Sequence, residues 1–294
     1  MHTLKQREDR TGIYRGVKTG MKQQEKNGVE YLTFPAFSEN GTVKHVFSTR
    51  LGGVSQGIFS SMNFSFTRGD DKEAVFENYR RMAKVLDCSP EDFVCSDQTH
   101  TTNIRLVTRA DSGKGVLVPK DYTDIDGLIT QEPGLVLVTF YADCVPLYFL
   151  DPVHKAVGLA HSGWRGTVKR MGREMVRAMG EAFDTKPEDL LVAIGPSICQ
   201  ECYEVSRDVA EQFLNAFPDK RVQQEILYET IPGKKYHLNL QRANLAVFED
   251  CGIPRDRISL ADICTCCNPE YLFSHRASQG KRGNLAAFLG LRKY

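Results

Sequence analysis

Three short apolar runs rich in β-branched residues lie close together near the middle of the chain. They span residues 135–140, 145–150 and 156–160. Apolar runs of this length, bounded by turn residues, are typical of buried strands. We therefore predict three strands, with the polar segments 142–144 and 161–167 at their ends.

Hydrophobic residues recur with helical spacing in other parts of the chain. Four helices are predicted in this way, at residues 70–86, 167–183, 206–217 and 240–249. Asp70 and Asn239 are placed to cap the first and the last of them.

Strands nevertheless dominate the pattern. About a dozen strands accompany the four helices, and tight turns join several of them. This pattern favours an α+β protein in which mixed or antiparallel sheets pack together with helices outside. Residues 1–28 are rich in Lys, Gln, Glu and Gly, which predicts a flexible N-terminal tail. We expect residues 29–294 to form a single domain, because no linker or repeat interrupts them.

Charge and hydropathy narrow the classes of partner. The chain has 38 basic and 37 acidic residues, so no general attraction to nucleic acid or to an anionic membrane is expected. The longest apolar stretch, residues 135–150, is broken by Asp143 and Pro146 and is too polar to span a bilayer. No apolar signal segment is visible at the N-terminus, so we predict a cytoplasmic protein.

Nine cysteines, an odd number, are expected to be free thiols in a reducing compartment. Two pairs have the spacing C-x-x-C, namely Cys199 with Cys202 and Cys264 with Cys267. Neither pair has a flanking C-x-x-C partner or the strand–helix context of a redox motif. The sequence therefore favours neither a zinc ribbon nor a redox pair at these two segments.

The polar segments at the predicted strand ends contain candidate chemistry. Cys144 and His161 are of the residue types that bind zinc, and a strand end holds a ligand while leaving one side open to substrate. A helix opened by Gly166 and Thr167 is expected to attract an anion through its free N–H groups. His100 also follows a predicted strand, although a lone histidine is more often a hydrogen-bonded residue than a ligand.

A glycine-rich loop at residues 49–57 contains a further candidate. Its glycines allow the backbone to approach a ligand closely, and Arg50 at its mouth is a candidate anion contact. The alternative is an ordinary turn with an exposed arginine.

Seven motifs in order resemble the YfiH, or laccase-domain, family. They are STRLGGVS (48–55), QTH (98–100), DGLIT (126–130), ADCVP (142–146), HSGWRGT (161–167), IGPSI (194–198) and CYEV (202–205). The resemblance covers roughly residues 40–290. Members of this family have been called polyphenol oxidases and are now regarded as purine nucleoside phosphorylases.

The resemblance implies a four-layer α/β/β/α sandwich with one zinc ion. The ligands it implies are the histidine of the glutamine motif, the cysteine of Ala-Asp-Cys and the histidine before Gly-Trp-Arg, here His100, Cys144 and His161. Copper is an alternative ion at the same site. The implied reactions are phosphorolysis of adenosine, inosine, guanosine or methylthioadenosine, and hydrolytic deamination of adenosine.

Two departures from the family pattern affect this expectation. The usual Gly-Pro-Cys-Cys is replaced by residues 199–202, which read Cys-Gln-Glu-Cys. The usual Ser-Tyr-Arg-Arg is replaced by residues 274–277, which end in Ala277 and so lack the second arginine. If that arginine contacts phosphate or substrate, affinity or substrate preference differs here.

Two nitrogens and one thiolate leave zinc a fourth position for water, as in catalytic sites. Zinc lowers the pKa of bound water toward about 7, and the resulting hydroxide can attack C6 of adenine. Asp143 is the candidate base for this step, and a buried structural cap is its alternative role.

Phosphorolysis requires a bound phosphate. Arg50 and Arg165 are the candidate contacts because a guanidinium offers forked donors. The alternative for Arg165 is packing against Trp164 or pairing with a carboxylate.

The sequence also offers candidates for binding the ribose or the base. They are Asn63, Gln98 and Glu204, chosen by residue type alone.

Three other functions compete with this one. A multicopper laccase needs about ten histidines, many in His-x-His pairs, whereas this chain has seven and no such pair. A cysteine hydrolase would use Cys144 as nucleophile and His161 as base. A scaffold would bind nucleoside without turnover. We expect an enzyme that acts on purine nucleosides and phosphate, with no nucleic acid or membrane partner, as a monomer or weak homo-oligomer.

Overall fold

The computed structural model of the chain describes residues 13–293. In chain order the strands are β1 (Lys18–Thr19), β2 (Lys22–Lys26), β3 (Val29–Thr33), β4 (Val43–Ser48), β5 (Phe93–Cys95), β6 (Ile104–Leu106), β7 (Gly127–Thr130), β8 (Val136–Tyr141), β9 (Val145–Asp151), β10 (Ala156–Ser162), β11 (Leu191–Ile194), β12 (Glu204–Ser206), β13 (Leu227–Ile231), β14 (Lys235–Leu238), β15 (Ile258–Leu260) and β16 (Leu285–Leu291). The α-helices are α1 (Pro35–Asn40), α2 (Lys72–Val85), α3 (Trp164–Val168), α4 (Met171–Phe183), α5 (Arg207–Ala216), α6 (Lys220–Ile226) and α7 (Leu240–Asp250).

Two large mixed sheets organise these strands. One has the order β1-β15-β11-β9-β10-β7-β6 and the other the order β2-β3-β4-β16-β8-β5. A small third sheet has the order β12-β14-β13. The three strands predicted in the middle of the chain are present as β8, β9 and β10. Because β8 belongs to the six-stranded sheet and β9 to the seven-stranded sheet, the chain crosses between the sheets at residues 142–144.

The sheets and helices form four layers. Side chains of both large sheets, such as Leu137 and Leu159, share one core between the sheets. Helices α4, α5 and α7 cover the outer face of the seven-stranded sheet, where Phe149 meets Phe248 edge to face with ring centroids 5.5 Å apart. Helix α2 covers the outer face of the other sheet. The predicted α+β class and α/β/β/α sandwich are confirmed.

The N-terminal segment differs from the predicted tail. Residues 18–26 form β1 and β2, which pair with β15 and β3 at the edges of the two large sheets. Their side chains are mostly exposed and polar, so the alternation that marks a half-buried strand is missing from the sequence. Residues 1–12 of the predicted tail lie outside the described range, and the single-domain prediction stays a prediction.

Two helix starts also differ from the prediction. The cap of α2 is Asp71, whose carboxylate accepts from the N–H groups of Glu73 and Ala74, and not Asp70. The helix predicted to begin at Thr167 is two helices, the five-residue α3 and then α4. The N–H of Thr167 donates to the Gly163 carbonyl at 2.9 Å, so this group is not free to bind an anion, and an anion site at this helix start stays a prediction.

Among residues 13–293, no helix combines the length and the apolar character needed to cross a bilayer.

Candidate metal centre

Strand ends from both large sheets meet at one end of the sandwich. His100 and Cys144 follow β5 and β8, which are parallel, so both residues emerge at the same end of the six-stranded sheet. His161 lies near the end of β10, opposite Pro146 in the antiparallel neighbour β9. Its N–H donates to the carbonyl of Asp126, just before β7, at 2.8 Å. The sheet topology therefore gathers residues that lie far apart in the sequence.

The three predicted ligands lie together at this end of the sandwich. They are His100, Cys144 and His161, and each offers one side-chain nitrogen or sulfur atom. These three atoms all lie within 4.8 Å of one another. The two imidazole rings meet edge to face, with centroids 4.9 Å apart. His161 is buried and His100 is exposed, so the group has one side inside the protein and one side toward solvent.

Asp126 is the residue that orients these ligands. Its fully buried carboxylate contacts Nδ1 of His161 at 2.7 Å and accepts from the His100 N–H at 3.1 Å. It also accepts from the N–H groups of Thr99 and Thr101. Burial works against ionisation of Asp126, but these hydrogen bonds outweigh burial and lower its pKa. A charged carboxylate that binds Nδ1 leaves Nε2 of His161 as the ligand atom.

The electrostatics of the group favour the state of cysteine that binds metal. Burial raises the pKa of Cys144, but the two neighbouring imidazoles outweigh burial and bring this pKa below its usual value. Burial likewise lowers the pKa of His161, while Cys144 and Asp126 raise it above its usual value. The site therefore stabilises the thiolate of Cys144, the form of cysteine that binds metal, and a metal ion bound there would replace the proton that the site stabilises on His161.

The donor set fits zinc. Two imidazole nitrogens and one thiolate sulfur are donors that zinc takes, and three protein ligands leave one position for water or substrate. The same donors suit copper. Metal binding at this site stays a prediction.

A cavity of about 350 Å³ opens beside the ligands. Its wall includes the three ligand residues and four aromatic side chains, Phe64, Phe66, Phe140 and Tyr141. Two arginines, Arg68 and Arg282, also line it. The cavity thus combines the predicted metal ligands, aromatic surface and positive charge.

Two predicted substrate contacts are engaged in structural hydrogen bonds. Gln98 lines the cavity, but its amide pairs with the backbone N–H and carbonyl of Phe140 at 2.6 and 2.8 Å. Asn63 is fully buried, and its side chain bonds the backbone of Ser65 and Asn284 and the carboxylate of Asp70. Both amides fix loops of the cavity wall.

The two predicted carboxylates lie outside the wall of the cavity. Oδ1 of Asp143 accepts from the Thr265 hydroxyl at 2.6 Å, and Oδ2 accepts from the Arg276 N–H at 2.7 Å. Glu204 pairs with Lys235 in the small sheet. The hydrogen bonds of Asp143 fit its alternative role as a buried cap.

The two predicted phosphate contacts are also elsewhere. Arg50 donates to the carbonyls of Ser60 and Pro269 and lines a second, smaller cavity. Arg165 is exposed, and its guanidinium stacks over the Trp164 ring at 4.2 Å, which is the alternative role predicted for it.

Asp126, Arg68 and Arg282 received no predicted role. Asp126 stands in the DGLIT motif, which was the one signal for it, but an Asp-Gly pair before a strand has no distinctive chemistry. Arg68 and Arg282 lie in loops with no local pattern, so only the folded chain brings them to the ligands.

The two C-x-x-C segments differ from the prediction as well. Their sulfur atoms gather in one group, with all four within 4.8 Å of one another, consisting of Cys199, Cys202, Cys264 and Cys267. Neither segment has a second C-x-x-C nearby in the sequence, but in the fold each segment lies beside the other.

Similarity to known proteins supports the resemblance found in the motifs. Residues 44–292 match the model of a family described as multi-copper polyphenol oxidoreductase laccase. A protein of Bacillus subtilis named purine nucleoside phosphorylase YlmD is 36% identical over 251 residues, 84% of this chain and 88% of that protein. Its namesake in Geobacillus stearothermophilus is 37% identical over 275 residues, 92% of this chain and 97% of that protein.

Solved structures agree with these relatives. The crystal structure of the hypothetical protein YfiH of Bacillus licheniformis has a TM-score of 0.85 and 32% identity, and covers 92% of this chain and 99% of its own. The YlmD structure from Geobacillus stearothermophilus has a TM-score of 0.84. The chain therefore belongs to the YfiH and YlmD family, whose model is described as multi-copper polyphenol oxidoreductase laccase.

Proposed function

We propose that this chain is a zinc-dependent purine nucleoside phosphorylase that cleaves adenosine, inosine, guanosine and methylthioadenosine and also deaminates adenosine. The observation that carries the proposal is the position of three metal-binding side chains in the wall of a cavity that also has aromatic and arginine side chains. Several relatives are named purine nucleoside phosphorylase, which supports the reaction class.

The chain's own residues would prepare the metal site. His100, Cys144 and His161 would hold the ion, and Asp126 fixes the ring of His161. Bound zinc supplies a Lewis acid and activates water. The chemistry of the donor set supports zinc, and copper at the same three residues is the alternative.

The aromatic wall suits a purine. Phe66 stacks on Tyr79 with ring centroids 5.6 Å apart, which fixes its orientation, and Phe140 is held by the bonds of Gln98. Aromatic rings pack well against the flat, apolar faces of a base. We propose that Phe66 and Phe140 contact the base.

Arg282 and Arg68 are our candidates for the phosphate site. Burial, and then the charge of Arg68, lower the pKa of Arg282 to about 10. The Nε of Arg282 is buried and has no hydrogen-bond partner among the described residues. Both guanidinium groups line the cavity, and a phosphate bound between them there would offset the repulsion between the two cations. We prefer Arg282 and Arg68 to the predicted phosphate contacts Arg50 and Arg165, which lie outside the wall of this cavity. Asp143 is better suited to holding the loop of Cys144 than to moving protons.

One observation favours a cysteine hydrolase as the second candidate. Asp126, His161 and Cys144 form a continuous chain, since His161 contacts Asp126 at 2.7 Å and lies beside the Cys144 thiol. The same order of groups activates a nucleophilic cysteine in metal-free enzymes. His100 is the residue that this alternative leaves without a role.

Product analysis distinguishes these functions. Purified protein is incubated with adenosine, with and without inorganic phosphate, and the products are separated by chromatography. Adenine that forms only with phosphate, together with inosine that forms without it, is the expected result. His161→Ala should lose both bound zinc and turnover. Turnover by the metal-free wild-type protein would favour the hydrolase instead. Iodoacetamide should then abolish this turnover by alkylating Cys144.

Two arginine variants identify the phosphate contact in the same assay. We expect Arg282→Gln to raise the phosphate concentration needed for half-maximal rate by about tenfold or more, the effect of losing a charge-assisted bond of roughly 1.5–3 kcal/mol. Arg165→Gln is the matched control, because it removes an exposed arginine outside the cavity wall. A phosphate dependence altered by Arg165→Gln and not by Arg282→Gln would reverse our assignment.

We also propose that the protein acts on small molecules in the cytoplasm, as a monomer or weak homo-oligomer. The nine cysteines, all within the described range, form no disulfide, which fits a reducing compartment.

A further inference from the structure

The four cysteines of the two C-x-x-C segments form what we call the tetracysteine cluster. It consists of Cys199, Cys202, Cys264 and Cys267. None of these residues contributes to the metal centre at His100, and the proposed function assigns them no role. Their arrangement has a physical explanation in the sheet.

Parallel pairing of two strands builds the cluster. Strand β11 pairs with β15 with Val192 opposite Ile258, so the segments that follow both strands leave the sheet at the same end. The pairing continues past the strands, because the Ser197 N–H donates to the Ile263 carbonyl and the Thr265 N–H donates to the Ser197 carbonyl, both at 3.2 Å. One C-x-x-C segment thus lies directly beside the other.

The sulfur positions fit a tetrahedral ion. Sγ of Cys267 lies 4.0 Å from Sγ of Cys199 and 3.5 Å from Sγ of Cys202. A zinc ion with Zn–S bonds of about 2.3 Å separates its four sulfur ligands by roughly 3.8 Å. These two separations bracket this value, and all four sulfurs lie within 4.8 Å of one another, so the side chains need only small adjustments to bind the ion.

Backbone groups around the cluster also suit thiolates. The N–H of Cys199 points at Sγ of Cys264 at 3.2 Å, and the N–H of Cys267 points at the same sulfur at 3.4 Å. Donors aimed at a ligand sulfur stabilise its charged form and orient it, as outer hydrogen bonds do at metal sites. Cys199 and Cys264 are only 3% and 2% exposed, so these bonds are shielded from water.

We propose that the tetracysteine cluster binds a second metal ion, a zinc ion or another soft tetrahedral cation, at a structural site. Four protein thiolates fill all four positions of such an ion, which leaves none for a substrate. The ion replaces the four thiol protons, which pass to solvent as the site loads.

The position of the cluster gives this ion a task. The Ile198 N–H donates to the Asp143 carbonyl at 2.9 Å, and the Thr265 hydroxyl donates to the Asp143 carboxylate. The residue next to one C-x-x-C segment and a residue within the other therefore hold Asp143, which precedes Cys144. An ion that joins the two segments would fix the loop that carries a ligand of the first site.

The test uses the full chain without the first site. In a His100→Ala, His161→Ala variant purified with zinc, we expect one zinc ion per chain by elemental analysis, with a zinc X-ray absorption spectrum showing four sulfur neighbours. Removal of this zinc by a chelator should lower the unfolding temperature, and added zinc should restore it, because binding to the native state alone stabilises it. These measurements require no change in the cluster.

Cysteine variants in the same background locate the ion. Cys202→Ser with Cys267→Ser should abolish zinc retention, whereas Cys266→Ser, which removes the neighbouring thiol outside the cluster, should retain it. A folded double-histidine variant with no zinc, a spectrum with nitrogen neighbours, or a disulfide between cluster cysteines in the freshly purified protein would overturn the proposal. None of these outcomes depends on catalysis, so they are separate from the test of the proposed function.

Discussion

Gly163 determines how closely the backbone approaches the predicted metal ligands. A Cβ placed on Gly163 would lie 2.8 Å from Cδ2 of His100 and 3.0 Å from Sγ of Cys144. Contacts this short force neighbouring atoms to move in a closely packed site. The atoms that would move belong to two of the three ligands, so the absence of a side chain at residue 163 is part of the site.

Gly163→Ala should therefore weaken zinc binding at the first site. We expect the affinity to fall by about 10- to 100-fold, the range found when the orientation of ligands is disturbed. A competition titration with a chromophoric chelator measures the change. Gly166→Ala is the matched control, because a Cβ there meets nothing closer than Ser162 Oγ at 3.6 Å. Equal affinity for the two variants would contradict this account of Gly163.

The site could be predicted from the sequence only in part. His100, Cys144 and His161 stand in motifs of the family, and the structure brings them together. Asn63 and Gln98 were selected by residue type, but their amides bond the backbone of neighbouring loops. A side-chain type shows which bonds an amide can make, and only the fold shows which groups stand next to it.

At the scale of elements, the start of α2 shows how finely a cap is positioned. Asp70 and Asp71 are adjacent, and either could cap the predicted helix. In the structure, Asp71 accepts from the Glu73 N–H at 2.7 Å, while Asp70 accepts from Nδ2 of Asn63 at 2.8 Å. A tertiary contact therefore decides which of two equivalent residues becomes the cap.

Removal of this cap should destabilise the chain measurably. Asp71→Ala leaves two helix N–H groups without their acceptor, and we expect it to lower the free energy of unfolding by about 1 kcal/mol. Urea unfolding followed by circular dichroism gives the value. Asp71→Asn keeps an acceptor oxygen and should lose only a fraction of this energy. An alanine variant as stable as the asparagine variant would show that the cap contributes nothing.

Strands were predictable where the sequence is apolar and were missed where it is polar. Nearly every side chain of β8, β9 and β10 is buried, so their apolar runs identify them. Strand β2, Lys-Gln-Gln-Glu-Lys, has no buried residue and is held by its pairing with β3. Backbone hydrogen bonds do not depend on the side chains, so an edge strand of this kind leaves no pattern in the sequence.

At the scale of the whole molecule, contacts between distant segments were the hardest to predict. The two C-x-x-C segments lie about sixty residues apart, and each looks incomplete alone. The parallel pairing of β11 with β15 makes them neighbours. The residues around a short strand do not show which other strand it pairs with. Local spacing rules therefore cannot reveal a site whose residues are divided between two such strands.

His45 connects one buried group to the stability of the whole molecule. It lies on β4, is 6% exposed, and its Nε2 accepts from the Phe34 N–H at 2.8 Å. The rings of Phe34 and Phe37 pack beside it, with centroids 6.3 and 5.3 Å away. Burial lowers the pKa of His45 from 6.5 to about 3, so the folded chain holds this imidazole neutral.

This shift predicts a specific loss of stability in acid. Between pH 6.5 and about 3 the unfolded chain binds a proton at His45 that the folded chain does not. The free energy of unfolding should therefore fall as pH decreases, by up to about 1.4 kcal/mol for each pH unit. Above pH 6.5 both states are neutral at His45 and the effect is absent.

His45→Gln is the control, because it retains an acceptor for the Phe34 N–H but cannot titrate. Between pH 6 and 4 its free energy of unfolding should fall less per pH unit than that of the wild type, by up to about 1.4 kcal/mol. Urea unfolding of both proteins at matched pH values measures the difference, and the contributions of groups common to both proteins cancel. Equal slopes would mean that His45 titrates alike in the folded and unfolded chains.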